Sequence, residues 1–271
     1  MHLYALCWND ADMLPFFFRH YDPFVSQYFI FDDHSDDNSL DLLRSHPNVE
    51  VRPFIRSDPD SFALSEVSLS NECWKRSRGQ ADWVIVIDID EHLFHSDLPA
   101  LLRRYRAGGI TIVPALGYQM ISEAFLRAGE LACEVSTYGA PWEIYSKLAL
   151  FDPRAIDEID YSPGRHRANP TGRVVAPELD ELLLLHYKFL GFERTCARHR
   201  HLLNGLRSKD FENSWGYQYS WSEEEFRRVW LEFAGNAVDV RAEAANANYP
   251  APRWWDPFRR AAPGVAADVN G

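Results

Sequence analysis

Strands alternating with helices over the first 95 residues predict an α/β fold with a mixed, mainly parallel sheet and a helical C-terminal part. One segment sharpens this. Residues 83–87 (WVIVI) are an unbroken apolar run rich in β-branched side chains, the pattern of a strand covered on both faces. The run ends in Asp88-Ile89-Asp90. Continued alternation puts both carboxylates on one side of the strand's C-terminal end, the edge where open α/β sheets take their ligands. Glu91 and His92 follow at once. Two hard oxygen ligands at such an edge suit a divalent cation such as Mg²⁺ or Mn²⁺.

Each element has its own signal. Residues 3–8 (LYALCW) read as the first strand. Asp12 is placed to cap a helix through MLPFFFRHY, whose first turn tolerates Pro15. Residues 27–32 (QYFIFD) are the second strand, and Asp36 or Asp37 caps a short helix through Leu42 and Leu43. Residues 49–54 form the third strand, 64–78 the third helix and 83–87 the fourth strand. Residues 98–106 read as a helix broken by Gly108-Gly109, and 110–116 (ITIVPAL) as a fifth strand. Residues 146–151 and 181–187 are further strands around a loop, 153–177, rich in Pro, Gly and Arg. From Phe192 onward the pattern is helical. Ser222 and Glu225 make a capping box, Phe226, Val229, Trp230 and Phe233 follow at helical spacing, and Gly235 is the stop. Trp254 and Trp255 read as packing residues, and the ending AAPGVAADVNG reads as frayed.

Composition narrows the function. A hydrophobic fraction of 46% supports a real core. A net charge of −12 argues against a nucleic-acid polymer as partner, because phosphate backbones need a basic surface. A small phosphorylated ligand held through a metal stays open. Cys7, Cys73, Cys133 and Cys196 are scattered without metal spacing and suit a reducing cytosol. Asp10 and Asp12 interrupt the N-terminal apolar stretch, which lacks a signal-peptide layout, and no run is long enough to span a membrane. The expected location is cytoplasmic.

The turns at the sheet edge carry the chemistry. After the first strand comes Cys7-Trp8-Asn9-Asp10, without the glycines a dinucleotide site needs, and there is no Walker lysine loop. The turns are acidic instead: Asn9-Asp10, then Asp32-Asp33-His34-Ser35, then Asp88 to Asp90. Such turns make sense if a metal neutralises phosphates while carboxylates and amides bind base and ribose. Four stretches, CWNDADMLPFFFRHY, FIFDDHSDD, WVIVIDIDEH and LLHYKFLG, resemble glycosyltransferases of the GT-A fold, specifically the family-2-like group. They look like its opening strand and turn (with Asp10 for the usual Glu), its nucleoside turn, its D-x-D metal motif and its late histidine. The resemblance is clear to about residue 95 and thinner to about 210.

The resemblance implies a Rossmann-like nucleotide-diphospho-sugar transferase fold, with a catalytic domain over 1–195 and a helical extension and tail over 196–271. It implies Asp90 as a direct Mn²⁺ or Mg²⁺ ligand, Asp88 on the ribose or the metal, and His186 completing the metal site. Asn9, Asp33 and Lys147 join the nucleotide contacts. The reaction would be transfer of a sugar from a nucleoside-diphosphate sugar to a hydroxyl acceptor, such as a surface glycan, with inversion. Inversion needs a base for the acceptor hydroxyl. The position matching the family's carboxylate base falls near Ser162-Pro163-Gly164-Arg165-His166, where only His166 can serve; Glu143 and Glu123 are alternatives. Other readings of these residues stand beside this one. Asp36 and Asp37 read as turn residues, His186 is equally a core histidine, and Lys188, Arg194, Arg198, Arg200, Arg207 and Lys209 suit either a solvated helix face or a diphosphate grip. The rival functions are a D-x-D phosphatase of haloacid-dehalogenase type, a nucleotidyltransferase and a non-catalytic sugar- or nucleotide-binding protein.

Overall fold

A computed structural model describes residues 1–242, 249 and 252–259. The strands are β1 (His2–Cys7), β2 (Gln27–Asp32), β3 (Val49–Pro53), β4 (Val84–Val86), β5 (Glu91–Phe94), β6 (Ile112–Val113), β7 (Leu116–Ser122), β8 (Tyr138–Pro141), β9 (Leu150–Phe151), β10 (Leu183–Leu190) and β11 (Val238–Asp239). The helices are α1 (Leu14–Tyr21), α2 (Ser39–Ser45), α3 (Phe62–Glu72), α4 (Leu98–Ala107), α5 (Ala132–Val135), α6 (Phe192–Leu203), α7 (Ser208–Glu212) and α8 (Glu223–Gly235).

The main sheet has the order β3-β2-β1-β4-β9-β6. The pairs β1–β2, β2–β3 and β1–β4 are parallel, and only β9 runs against its neighbours. This is the mixed, mainly parallel α/β sheet expected of a GT-A arrangement. Leu3, Tyr28, Ile30, Val84 and Ile85 are fully buried, as strands covered on both faces must be. The ladder runs beyond β4, since the Ile87 amide donates to the Tyr4 carbonyl at 3.0 Å.

A second sheet, β11-β8-β7-β10-β5, was not legible in the pattern. It is antiparallel except for β7–β10. The expected strand 110–116 is therefore split. Its first half, β6, joins the main sheet and its second half opens β7 in the other, with Pro114-Ala115 between. The expected strand 146–151 is paired only at Leu150–Phe151, and the strand expected over 181–187 runs on to Leu190.

Three helix starts differ from expectation. Asp12 does not cap α1: the Met13 and Leu14 amides donate to the Asp10 carbonyl, and Asp12 pairs with Arg194 at 2.6 Å. The residue before α2 is Asn38, while Asp37 accepts from the Ser39 amide and Asp36 is tied to Asn9. The third helix starts earlier than 64, capped by Ser61, and tightens into a 3-10 turn over Cys73–Ser77. The capping box of Ser222 and Glu225 forms, and α8 ends at Gly235. Phe226 and Trp230 of α8 pack with Ile121, Phe189 and Phe192 in a second apolar cluster. Trp255 is buried, with its indole N–H on Asp180 at 2.9 Å. The ending over 261–271 lies outside the described residues. Among the described residues the four cysteines are unpaired, and no helix is long and apolar enough to cross a membrane.

Candidate active site

Asp88-Ile89-Asp90 is a turn rather than a continued pleat: the Glu91 amide donates to the Asp88 carbonyl at 3.1 Å. The turn delivers both carboxylates to one cleft at the C-terminal edge of β1 and β4. Leu6, Trp8, Asp10, Phe62, Glu66, Lys188, Arg198, Leu202 and Tyr219 line the cleft with them. Cations from β10 and α6 thus face carboxylates from the sheet edge, with aromatic walls between.

Asp90 and His186 meet here. β10 pairs with β5 so that His186 stands opposite Glu91, and the Tyr187 amide donates to the Asp90 carbonyl at 2.7 Å. The His186 Nε2 lies 3.6 Å from the Asp90 carboxylate. Its tautomer follows from Gln119. The Gln119 amide nitrogen donates to the Met120 and His186 carbonyls, which leaves its Oε1 as an acceptor for His186 Nδ1 at 2.7 Å. Nδ1 therefore carries the proton, and Nε2 presents a lone pair to a carboxylate. Burial, helped by Lys188, holds the imidazole well below its usual pKa, so protonation does not bridge the gap. A cation between two facing acceptors would relieve them: the carboxylate suits Mn²⁺ or Mg²⁺, and the imidazole favours a transition metal over Mg²⁺. Among the described residues no group of three His, Cys, Asp or Glu could hold a metal. A cation held by Asp90 and His186 would draw its other ligands from water and substrate.

Asp88 is differently placed. Its Oδ1 is 2.6 Å from Arg165 Nη2, and its Oδ2 is 3.7 Å from Lys147 Nζ. Burial opposes its charge, but Arg165 and Lys147 outweigh burial and hold the carboxyl below the usual carboxylate range. Lys147 also bonds Glu91 at 2.6 Å, and Arg165 also bonds Glu66. Glu91, Lys147 and Arg165 are all buried. Lys147 thus sits with the acidic turn, bound to carboxylates instead of facing the cleft. Asp88 is thus already compensated by cations of the chain.

The other residues singled out in the sequence are dispersed. Asn9, at φ 55°, spends its side chain on the neighbouring turn, bonding Asp36 through both amide atoms. Asp33 is buried against Arg56 at 2.6 Å. His166 donates from Nδ1 to the Ile144 carbonyl at 2.6 Å, and its ring meets the edge of Tyr145. Tyr145 in turn stacks on His186 with centroids 4.2 Å apart, so His166 lies one ring beyond the Asp90–His186 pair. Burial and Lys147 push the His166 pKa down to about 3. Glu143 is exposed on the same 3-10 turn as Tyr145. Glu123 accepts the Trp230 indole N–H at 3.1 Å. It follows directly on the end of β7 at Ser122.

Of the basic residues that suited either a diphosphate grip or a solvated helix face, Lys188 and Arg198 line the cleft. Arg198 forks onto the Trp8 and Asn9 carbonyls at 2.8 Å and onto Asp10 at 2.5 Å, clamping the first acidic turn. Burial lifts the Asp10 carboxyl to about 6 against the pull of Arg198. Lys188 is held beside the Tyr219 hydroxyl at 3.4 Å. Nothing local announced Trp8, Tyr219 or Arg165.

No family model matches the chain, and no curated protein does. Solved structures match at low similarity. TarS of S. aureus is 11% identical with a TM-score of 0.32, over 56% of this chain and 28% of that one. Its 1–349 fragment is 11% identical with a TM-score of 0.37, over 91% of this chain and 73% of that one. Glucosyl-3-phosphoglycerate synthase from Mycobacterium tuberculosis, solved with Mn²⁺, UDP and glucosyl-3-phosphoglycerate, is 13% identical with a TM-score of 0.32, over 61% of each chain. This chain spans less than a third of the first of these. Likeness at this level extends no further than the α/β fold, which the strand order establishes by itself.

Proposed function

We propose that this protein is a metal-dependent glycosyltransferase that moves a sugar from a nucleoside-diphosphate sugar to a hydroxyl acceptor, a glycan by preference, with inversion. One observation carries the reading: the lone pair of His186 Nε2 faces the Asp90 carboxylate across 3.6 Å, beside a cleft that also presents Lys188. A pair of acceptors next to an ammonium fits a cation and the diphosphate it neutralises.

A Mn²⁺ or Mg²⁺ held there would stabilise charge on the departing diphosphate. The chain's own residues do the rest. Lys188 takes a phosphate oxygen, and Trp8 and Tyr219 offer flat faces to the base. Arg198 keeps the first acidic turn in place as the cleft wall. Tyr145 and Gln119 fix the His186 ring. His166 Nε2 takes the acceptor's proton while the hydroxyl oxygen attacks from the face opposite the leaving group. A conjugate acid near 3 makes it a weak base, so its contribution sits at the low end of the roughly 10²–10⁴-fold usual for such a group. Glu143 is the second candidate. A D-x-D phosphatase needs its first aspartate free as nucleophile, and Asp88 is bound to Arg165.

The test is an assay of UDP- and GDP-sugars with Mn²⁺ and a panel of glycans, following nucleoside diphosphate released and sugar gained by the acceptor. Stoichiometric release and transfer are expected. Tight nucleotide binding without turnover would point to a binding protein, and phosphate release from simple phosphomonoesters to the phosphatase.

A further inference from the structure

Asp88 does not stand at the cleft as a free carboxylate. Its Oδ1 forms an ion pair with Arg165 Nη2 at 2.6 Å, and its backbone amide donates to Glu91 Oε2 at 3.3 Å. Arg165 is 3% exposed, bonds Glu66 of α3 with its other terminal nitrogen and lies 3.8 Å from Glu91. Glu66, Asp88 and Glu91 therefore share Arg165 and Lys147 in one buried network. A buried guanidinium with two carboxylates in reach is held in a single orientation, because losing either partner leaves an uncompensated charge.

Arg165 also belongs to the loop that carries His166. Gly164 sits at φ 69° and Arg165 at φ 55°, a left-handed conformation uncommon for a residue with a Cβ. A Cβ on Gly164 would lie 2.5 Å from His166 Nε2, so the glycine leaves that nitrogen room. The strained turn sends Arg165 inward to the acidic turn and His166 outward beside Tyr145.

We infer that Arg165 is a positioning residue that ties the His166 loop to the acidic turn, and that Asp88 is its anchor and not a metal ligand. The inference rests on the glycosyl-transfer reading for its consequence in turnover, and on geometry alone for the Arg165–Asp88 tie. In this arrangement the two aspartates have separate tasks. Asp90 and His186 would hold the cation. Asp88 keeps the proton-accepting loop in register with the donor cleft.

The test compares wild type, Arg165→Lys, Arg165→Gln, Asp88→Asn and the Arg165→Gln/Asp88→Asn double variant. Mn²⁺-dependent UDP affinity is read by calorimetry, transfer by steady-state kinetics and stability by denaturant midpoint. Arg165→Gln should lower kcat about 10- to 100-fold, the scale of a roughly 1 Å misplacement. Its Mn²⁺-dependent UDP affinity should stay within about threefold of wild type, a shift under about 0.7 kcal/mol. Arg165→Lys, which keeps the charge but loses the fork, should recover part of kcat. The double variant should be no worse than the poorer single variant in kcat and midpoint. Loss of Mn²⁺-dependent UDP affinity in Asp88→Asn would overturn the inference by making Asp88 a ligand. Additive effects in the double variant would overturn it too. If wild type binds no UDP at all, the reading of the site fails, and the midpoint cycle alone then decides the Arg165–Asp88 tie: coupling supports it and additivity sinks it.

Discussion

At the scale of single residues, the site is defined by how its carboxylates are partnered. Asp10, Asp33, Asp88 and Glu91 each hold a cation of the chain at ion-pair distance, while Asp90, among the described residues, has the neutral His186 as its ion-pair neighbour, at 3.6 Å. Asp90→Asn should therefore leave the melting temperature of the metal-free protein unchanged or slightly higher, because a functional carboxylate adds little stability of its own. A fall of several degrees would mark Asp90 as structural. Acidity should act through Asp10, not His166. The folded pKa of Asp10 is raised to about 6 from 3.8, so the native state binds its proton more readily than the unfolded chain. Stability from this group accordingly rises as pH falls from about 6 toward 4. Over the same window the Arg198–Asp10 clamp loses its charge, so nucleotide affinity should drop below about pH 6. Asp10→Asn should remove that limb, and His166→Ala should retain it, since His166 is neutral until about pH 3. A limb near pH 6.5 that vanishes in His166→Ala would contradict this assignment.

At the scale of elements, what the sequence announced and what it hid have different causes. The strands β1, β2 and β4 were legible because each is a local apolar run, β3 because its apolar and charged residues alternate, and the capping box of α8 because its two residues lie three apart. The acidic turn was legible because it follows directly from such a run. The short strands β5 and β8 carry no local signal. Glu91–Phe94 is stabilised by pairing with β10 some 90 residues later, and Tyr138–Pro141 by β7 and β11. For the same reason, Lys147 and Arg165 gave no sign that they would meet Asp88 and Glu91. Asn9 was misleading in type: an amide in an edge turn suits a ligand, yet it serves the turn itself. Gly117 in β7 shows how such distant elements are coupled. A Cβ there would lie 2.3 Å from the Tyr145 carbonyl carbon, with no flexible side chain to yield. Gly117→Ala should push away the turn that carries Tyr145 and loosen the His186 ring. A stability loss of about 1–3 kcal/mol is expected, together with weaker metal-dependent UDP binding, both readable in one thermal-shift series. Wild-type behaviour in both would show that the stack on His186 is not needed.

At the scale of the whole molecule, an acidic protein with a net charge of −12 gathers Lys188 and Arg198 at one edge of its parallel sheet, opposite its acidic turn. General surface charge does not attract an anion here, so the proposed capture of a diphosphate would depend on the local cations and on a metal held by Asp90 and His186. The helical part after β10 is not peripheral to this site, since α6 supplies Arg198 and the 3-10 turn Tyr217–Ser220 supplies Tyr219. The most direct measurement is calorimetric titration of UDP into wild type and Asp90→Ala, each with and without Mn²⁺. Wild type should bind at least about tenfold more tightly with Mn²⁺, a difference of about 1.4 kcal/mol. Asp90→Ala should lose that increment while keeping the metal-free affinity. Equal affinity with and without Mn²⁺ in wild type, or an increment that survives Asp90→Ala, would contradict a metal-bridged diphosphate site at Asp90.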